Sequence, residues 1–410
     1  MAPRWYDVVR AAGLVTPDGT VRQTVFAEMS ALAARTGALN LGQGFPDVDG
    51  PAHVARAAMA AIEAGHNQYP PGAGTPELRS AVVAHQSRHY GLVLDPDTDV
   101  LVTTGATEGL AAAVLALAGP GEEVLTIEPY YDSYAAVIAM AGAQHTTVGL
   151  VPGGDGLRLD LDALASVFSE RTRLVILNSP HNPTGTVLTR QELEAVGDLA
   201  RRYDAVVLTD EVYEHLTYDG AEHIAFATLP GMAERTLSIS SSGKSLSFTG
   251  WKIGWVTGPA ALVDAVRAVK QFLTYVSGAP FQPAIAMALL DEDGRTGEYI
   301  RGLAASLAAR RDLLCEGLAT AGFEVVVPRG TYFVVADGAP LGFPDGADLC
   351  RQLPGLAGVV GVPVSAFCRE GSAVADAMRS SVRFTFVKRE EVLVEAVARL
   401  GRLAKPGARR

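Results

Sequence analysis

From about residue 99 the chain alternates between short apolar runs and stretches with helical periodicity. DVLVTTG (99–105) reads as a strand and ATEGLAAAVLALA (106–118) as a helix. EVLTIEPYY (123–131) and a helix over 133–141 repeat the pair. LVILNSP (174–180), a helix over 190–203, AVVLTDEVY (205–213) and TLSISSS (236–242) continue it. Apolar strands separated by helices predict a largely parallel sheet covered on both faces. Upstream the pattern is weaker. Residues 1–25, with Pro3, Pro17 and Gly19, read as an irregular arm. A short helix over 26–36, a strand fragment with a Gly/Pro loop in LNLGQGFPD (39–47) and an alanine-rich helix over 52–64 follow. NQYPPGAGTPELR (67–79) is a turn-rich loop opening the next helix; its GxG at Gly72 and Gly74 lacks a preceding strand and a third glycine, so it is a weak dinucleotide signal. After about residue 285 the strands pair locally. A long helical stretch (284–320) leads to FEVVVPRGTYFVVAD (323–337), a helix near 345–353, GVVGVPVSAF, SVRFTF (381–386) and a helix from residue 388. The expected division is an arm and part of a small domain (1–50), a large domain (51–288) and a small α+β domain (289–410).

Composition narrows the function classes. The 410 residues are 48% hydrophobic and 19% charged, as in a folded multi-domain chain. The net charge of −11 and the lack of a basic block argue against nucleic acid and anionic membranes as partners. The three cysteines, Cys315, Cys350 and Cys368, have no CxxC spacing and read as reduced thiols of a cytoplasmic protein. The start, MAPRWYDVVRAAG, lacks the apolar core of a signal peptide, and no run of about 18 apolar residues is present to span a bilayer. The eight histidines are read as lacking HxxxH and HExxH spacing, so no metal site is expected.

Candidate chemistry collects where predicted strands end, which is where open α/β sheets bind ligands. Lys244 stands among Ser240, Ser241, Ser242 and Gly243 at the end of an alternating strand, with Lys252 eight residues on. A lysine in such a pocket can be neutral often enough to form a Schiff base with an aldehyde cofactor, and the hydroxyls with Lys252 suit a phosphate tail. GATEGL (105–110) turns from strand to helix at Gly105. The N–H groups of Ala106 and Thr107 with the Thr107 hydroxyl suit a phosphate, though the same turn by itself is an ordinary helix cap. In EPYYDSY, Tyr130 or Tyr131 can stack on an aromatic ring or simply pack. NSPHNPTG (178–185) holds Asn178 and Asn182 in a proline-stiffened loop. Asp210 follows a buried run ending at Leu208, where a carboxylate is costly unless it meets a cation. A protonated pyridine nitrogen is such a cation.

NSPHNPTG, TDEVYEHL and SSSGKSLSFTGWKIGW, in this order and at strand ends, resemble the class I pyridoxal-phosphate-dependent aminotransferases of fold type I. LNLGQGFPD, NQYPPGAG, EPYYDSY, TGWKIGW and VRFTF resemble the branch of kynurenine–glutamine, bacterial N-succinyldiaminopimelate and methionine aminotransferases. The resemblance runs from about Phe26 to the C-terminal helix. It implies an α/β fold whose large domain carries a mostly parallel seven-stranded sheet flanked by helices, with a smaller α+β domain beside it. It also implies roles: Lys244 joined to pyridoxal 5'-phosphate and acting as general base, Asp210 on the pyridine nitrogen, and Tyr213 and Asn182 on the ring hydroxyl. Tyr131 would stack on the ring. Gly105, Ala106, Thr107, Ser241 and Lys252 would hold the phosphate, with Tyr69 reaching it from the partner of a homodimer. Arg383 would take the substrate α-carboxylate, which Gly44 allows close to the backbone. FLTYVSGAPFQP (272–283) looks more like the bacterial members, and the first 20 or so residues match none of them. Ping-pong transamination between an amino acid and a 2-oxo acid is the implied reaction. The candidate amino acids are large neutral, aromatic or sulfur types, or N-succinyldiaminopimelate. A cysteine-conjugate β/γ-lyase uses the same lysine and aspartate and is the alternative. A cofactor-binding transcription regulator is disfavoured by the acidic balance and by the roughly 25 residues ahead of Phe26.

Overall fold

The computed structural model describes residues 4–16, 18–154 and 156–403. In chain order its strands begin with Leu39–Asn40 (β1), followed by Val100–Thr104 (β2), Glu123–Glu128 (β3), Gln144–Gly153 (β4), Gly156–Leu159 (β5), Thr172–Asn178 (β6), Val206–Asp210 (β7), Thr236–Ser241 (β8) and Ile253–Thr257 (β9). β2 to β9 form one sheet in the order β2-β9-β8-β7-β6-β3-β4-β5. The central run β8-β7-β6-β3-β4 is parallel, as continuous apolar strands buried on both faces require. Alternate residues serve opposite faces. Leu174, Ile176 and Leu208 pack with the helix Gly105–Leu117 on one side, while Val175, Leu177 and Val207 pack with the helix Arg190–Arg202 on the other. That second helix starts at a capping box, with Thr189 and Glu192 exchanging side-chain and backbone hydrogen bonds.

β9 decides where the site can form. It runs antiparallel to both β8 and β2, pairing Gly254 with Ser241 and Ile253 with Thr104. Its first residues therefore lie at the carboxyl ends of its neighbours. Lys252, just before β9, reaches the same sheet edge as Gly105, just after β2.

The remaining strands are Glu324–Val326 (β10), Phe333–Asp337 (β11), Val359–Val360 (β12), Val362–Pro363 (β13) and Ser381–Thr385 (β14). They build an antiparallel sheet β10-β11-β14-β13, and β12 pairs in parallel with β1. Behind this sheet lies a core to which Met29, Ala33 and Leu41 contribute alongside Leu307, Leu314, Leu318, Phe384 and Leu393. Residues 25–41 thus pack with the C-terminal third of the chain.

Several expectations are corrected. The sheet has eight strands, because β5 folds back on the outer half of β4 as a hairpin. Neither that hairpin nor β9 was foreseen. The stretch 284–320 is two helices, Phe281–Leu290 and Arg295–Ala321. Asp291 leaves the first in the left-handed region (φ 49°), and its carboxylate accepts the N–H groups of Thr296 and Gly297 at 2.7 and 2.8 Å, starting the second. The arm read as irregular contains a helix, Arg4–Ala11, packed on the helix Ser133–Ala141; Pro3 and Pro17 lie outside the described residues.

Leu318 is fully buried on the long helix. Leu318→Ala is expected to lower stability by about 2–5 kcal/mol through lost burial and an unfilled cavity. Denaturant unfolding of the cofactor-loaded protein checks this; an unchanged midpoint would show the site collapses without cost.

Candidate active site

The parallel strands end on a common cavity of about 400 Å³. Asp210 is the last residue of β7, in register with Asn178 on β6 and Ile239 on β8. Its carboxylate reaches the cavity but is otherwise ringed by protein. Tyr134 Oη donates to Asp210 Oδ2 at 2.7 Å, and the Val212 N–H lies 3.4 Å from Oδ1. Burial pushes the Asp210 pKa up, against the pull of these two hydrogen bonds and of the Lys244 charge. Asn178 ties the neighbouring loop to the same point, donating to the Asp210 carbonyl at 2.8 Å. Lys244 sits on the one-turn helix Ser242–Ser245 that follows β8. Its Nζ lies 5.6 Å from the ring centres of both Tyr213 and Tyr332. The flexible amine thus lies between two aromatic faces, on the cavity that Asp210 also borders.

At the other end of the cavity, backbone N–H groups and a cation converge. Gly105 opens the helix Gly105–Leu117 with φ +72°, a conformation that favours glycine. A Cβ at Gly254 would stand 2.6 Å from the Gly105 carbonyl carbon and 2.7 Å from the Ala106 nitrogen, so only glycine lets β9 press against this turn. Ala106, Thr107, Ser241, Thr249 and Lys252 line the recess. Burial, and then the Lys244 charge, pull the Lys252 pKa down; a bound anion would offset both. Glu108 braces the turn, accepting the Thr104 N–H at 2.6 Å and the Thr274 hydroxyl. The segment 272–283 is thereby tied to the recess.

Arg383, on β14, enters from the second sheet and is buried. Its Nη1 donates to Asn182 Oδ1 and its Nη2 to the Gly42 carbonyl, each at 3.0 Å. Its Nε has no hydrogen-bond partner among the described residues. The guanidinium lies 4.0 Å from the ring centre of Phe333 and 4.6 Å from that of Phe367. Burial lowers its pKa to about 10, so it stays a cation at neutral pH. A Cβ at Gly44 would meet Phe333 Cζ at 2.4 Å, and the Gly44 carbonyl accepts the Tyr332 hydroxyl at 2.7 Å.

Twelve of the residues to which the resemblance gives roles therefore meet in one cavity, Gly44, Gly105, Ala106, Thr107, Tyr131, Asn182, Asp210, Tyr213, Ser241, Lys244, Lys252 and Arg383, and Asn178 lines it with them. Of the two tyrosines left open, Tyr131 lines the cavity, while Tyr130 is buried with its ring 4.9 Å from that of His145. Tyr69 is not among the lining residues; it is 82% exposed, its ring 5.6 Å from Tyr275. Sequence reasoning missed Tyr134, Thr249, Gly254 and Phe333. Tyr134 had a signal, because it stands one helical turn after Tyr131. The histidine reading is corrected as well: His85 and His89 are four residues apart on the helix Pro76–Tyr90.

This donor set fits pyridoxal phosphate. A buried carboxylate awaits a cation, a glycine-lined recess offers N–H groups and a lysine to an anion, and an amine lies between them. A family model described as aminotransferase class I and II matches residues 36–400, and the chain belongs to this pyridoxal-phosphate-dependent family. It is 55% identical to a probable N-succinyldiaminopimelate aminotransferase of Mycobacterium tuberculosis, covering 93% of this chain and 96% of the relative. The solved structure of the N-succinyldiaminopimelate aminotransferase from that organism superposes with a TM-score of 0.89, covering 93% of this chain and 97% of the other. A methionine aminotransferase of Escherichia coli is 37% identical over 93% of this chain and 96% of its own length. Aspartate aminotransferase of Thermus thermophilus with maleate is 31% identical with a TM-score of 0.86, covering 96% of this chain and 98% of the other.

Asp210→Asn separates the cost of the charge from its use. A carboxyl whose pKa is raised by folding binds its proton more tightly in the folded state, so stability falls as pH rises from 3.8 through the folded value. At neutral pH the apoenzyme carries that penalty, and the substitution is expected to raise its melting temperature. Cofactor affinity is expected to fall at least tenfold, about 1.4 kcal/mol. Thermal melts of the apoenzyme and cofactor titration check the two; a variant with both unchanged would mean the carboxylate has no cationic partner.

Proposed function

We propose that this chain is a homodimeric, cytoplasmic aminotransferase whose amino-acid substrate is N-succinyldiaminopimelate, paired with a 2-oxo acid. The observation that carries the substrate is the 55% identity to the mycobacterial N-succinyldiaminopimelate aminotransferase along nearly the whole of both chains. Pyridoxal phosphate supplies an aldehyde to take the amino group and a ring to accept electrons from the substrate's α-carbon. The protein supplies the rest. Asp210 would keep a proton on the ring nitrogen, with Tyr134 holding that carboxylate in place. Tyr213 and Asn182 would hold the ring hydroxyl, and Tyr131 would lie against the ring. Gly105, Ala106, Thr107, Ser241 and Lys252 would hold the phosphate. Arg383 and the backbone at Gly44 orient the α-carboxylate, and the Arg383 Nε gains an acceptor. Lys244 Nζ, as a free amine, would take the α-proton from the substrate carbon. Phe26, Gln43 and Phe45 lie along the same cavity. There they meet the part of the substrate beyond Cα.

The dimer is supported by a group of exposed apolar side chains on neighbouring elements. Met59 and Ile62 on the helix Ala52–Glu63, Tyr69, then Phe272 and Tyr275, and Met287 on the helix Phe281–Leu290 are all exposed, and these two helices pack together. Exposed apolar side chains gathered in this way suit a surface that another protein covers. A second copy seated there brings Tyr69 toward the phosphate recess. The cytoplasmic reading rests on three free cysteines; among the described residues no helix is long and apolar enough to cross a membrane. The relatives named above are aminotransferases, and transamination is retained over elimination.

An amino-donor panel tests the substrate. N-succinyldiaminopimelate is expected to give the highest kcat/KM, above methionine, kynurenine and aromatic amino acids, and Lys244→Ala is expected to lose both turnover and the absorbance band of lysine-bound cofactor. A higher kcat/KM for methionine or an aromatic amino acid overturns the substrate assignment. Sedimentation is expected to show a dimer, and Tyr69→Phe to weaken cofactor binding about tenfold, the loss of one charge-assisted hydrogen bond. An active monomer, or unchanged affinity in the variant, rules out the shared tyrosine.

A further inference from the structure

Away from the cofactor cavity, three imidazoles converge. His85 and His89 project from successive turns of the helix Pro76–Tyr90, and His215 comes from the loop after β7. One ring nitrogen from each lies within 4.8 Å of the other two. The Nε2 atoms of His85 and His215 are only 2.8 Å apart, and the His89 ring centre is 4.5 and 4.8 Å from those of His85 and His215. None of the three lines the cofactor cavity.

We propose that His85, His89 and His215 bind one divalent transition-metal ion of the imidazole-preferring kind, zinc being the type case. Imidazole nitrogens bind zinc at about 2.0–2.1 Å in tetrahedral geometry, which places ligand nitrogens about 3.3 Å apart. The His85–His215 pair opens by about half an ångström to reach that spacing, and the wider separations close by a change of side-chain torsion. His89 is exposed and His215 half-buried, so the cluster is open to solvent on the His89 side.

Two further observations point to a cation. The amide of Gln86 stands 3.4 Å from His85 Nδ1, and Gln86 Oε1 is buried with no hydrogen-bond partner among the described residues. Turning that amide over, an assignment that depends on the hydrogen-bond network, sets Oε1 against Nδ1–H. That fixes the tautomer in which Nε2 is free to ligate, the arrangement metal-binding histidines commonly use. Next to His215, Glu214 is a buried carboxylate. It accepts the Tyr90 hydroxyl at 2.7 Å and the Ser240 hydroxyl, and no lysine or arginine of the described residues pairs with it. A divalent ion held by these imidazoles would set a positive charge beside this carboxylate, whose hydrogen-bond partners are hydroxyls. Three nitrogen ligands and one neighbouring carboxylate exclude magnesium and calcium, which take oxygen cages. Bound metal would rivet the helix Pro76–Tyr90 to the loop that also carries Tyr213.

The test uses untagged, cofactor-loaded enzyme, stripped with a chelator and freed of excess cofactor, which itself binds metals. Titration with zinc by calorimetry is expected to give one ion per chain, and cobalt to give the intense visible bands of a tetrahedral nitrogen site without thiolate charge transfer. Zinc is expected to raise the melting temperature, as a ligand of the folded state must. His89→Ala changes an exposed side chain and is expected to fold and keep basal turnover while losing zinc affinity at least about tenfold. His215→Asn serves as the second variant. Substoichiometric zinc in the wild type, thiolate bands with cobalt, or wild-type titration curves in both variants overturn the proposal.

Discussion

A carboxylate placed at the end of a buried strand, with no fixed counter-charge, is the constraint the rest of this structure answers to. Asp210 costs free energy where it stands, and the cost is bearable because Tyr134, the Val212 N–H and Lys244 each favour the ionised form. Tyr134 comes from the helix after β3, Asn178 from the end of β6, and Lys244 from the turn after β8. Each arrives because parallel strands put their carboxyl ends side by side. The site is thus a consequence of sheet direction, with chemistry distributed over consecutive strand ends.

The antiparallel strand β9 is the exception that completes it. A parallel β9 would carry Lys252 to the far edge of the sheet. Reversed, it sets Lys252 beside Gly105, and the bare Gly254 lets the backbone close on the first turn of the helix Gly105–Leu117. The second sheet contributes a single buried cation, Arg383, held among Phe333, Phe367 and Phe26 with one N–H left unpaired. Two cores therefore share one cavity, and residues 25–41, which pack with the C-terminal core, lead directly to Gly42, whose carbonyl accepts from Arg383, and to Gly44 on the cavity wall.

The histidine cluster shows how electrostatics spread outward from the site. Glu214 follows Tyr213 immediately, and its carboxylate is satisfied by Ser240 and Tyr90 rather than by a cation. Buried carboxylates thus recur in two nearby places at the end of β7, at Asp210 and at Glu214. One faces the cofactor cavity and the other faces the helix that carries His85 and His89.

Much of this was legible in the chain. The strand–helix alternation follows from hydrophobic period, and the motifs around Asn182, Asp210 and Lys244 are local, each carried on a single strand end. What tertiary structure alone decided are relations between distant residues. The direction of β9 was hidden because IGWVT is buried on both faces and shows no alternation. Gly254 matters only through its contact with Gly105, nearly 150 residues away. His215 meets His85 across 130 residues, and Tyr69 lies apart from the cavity in a single chain. A sequence determines which side chains sit at which strand ends, because periodicity and turn chemistry are local. It leaves to packing which ends face one another, because sheet order and strand direction are settled by the burial of whole surfaces.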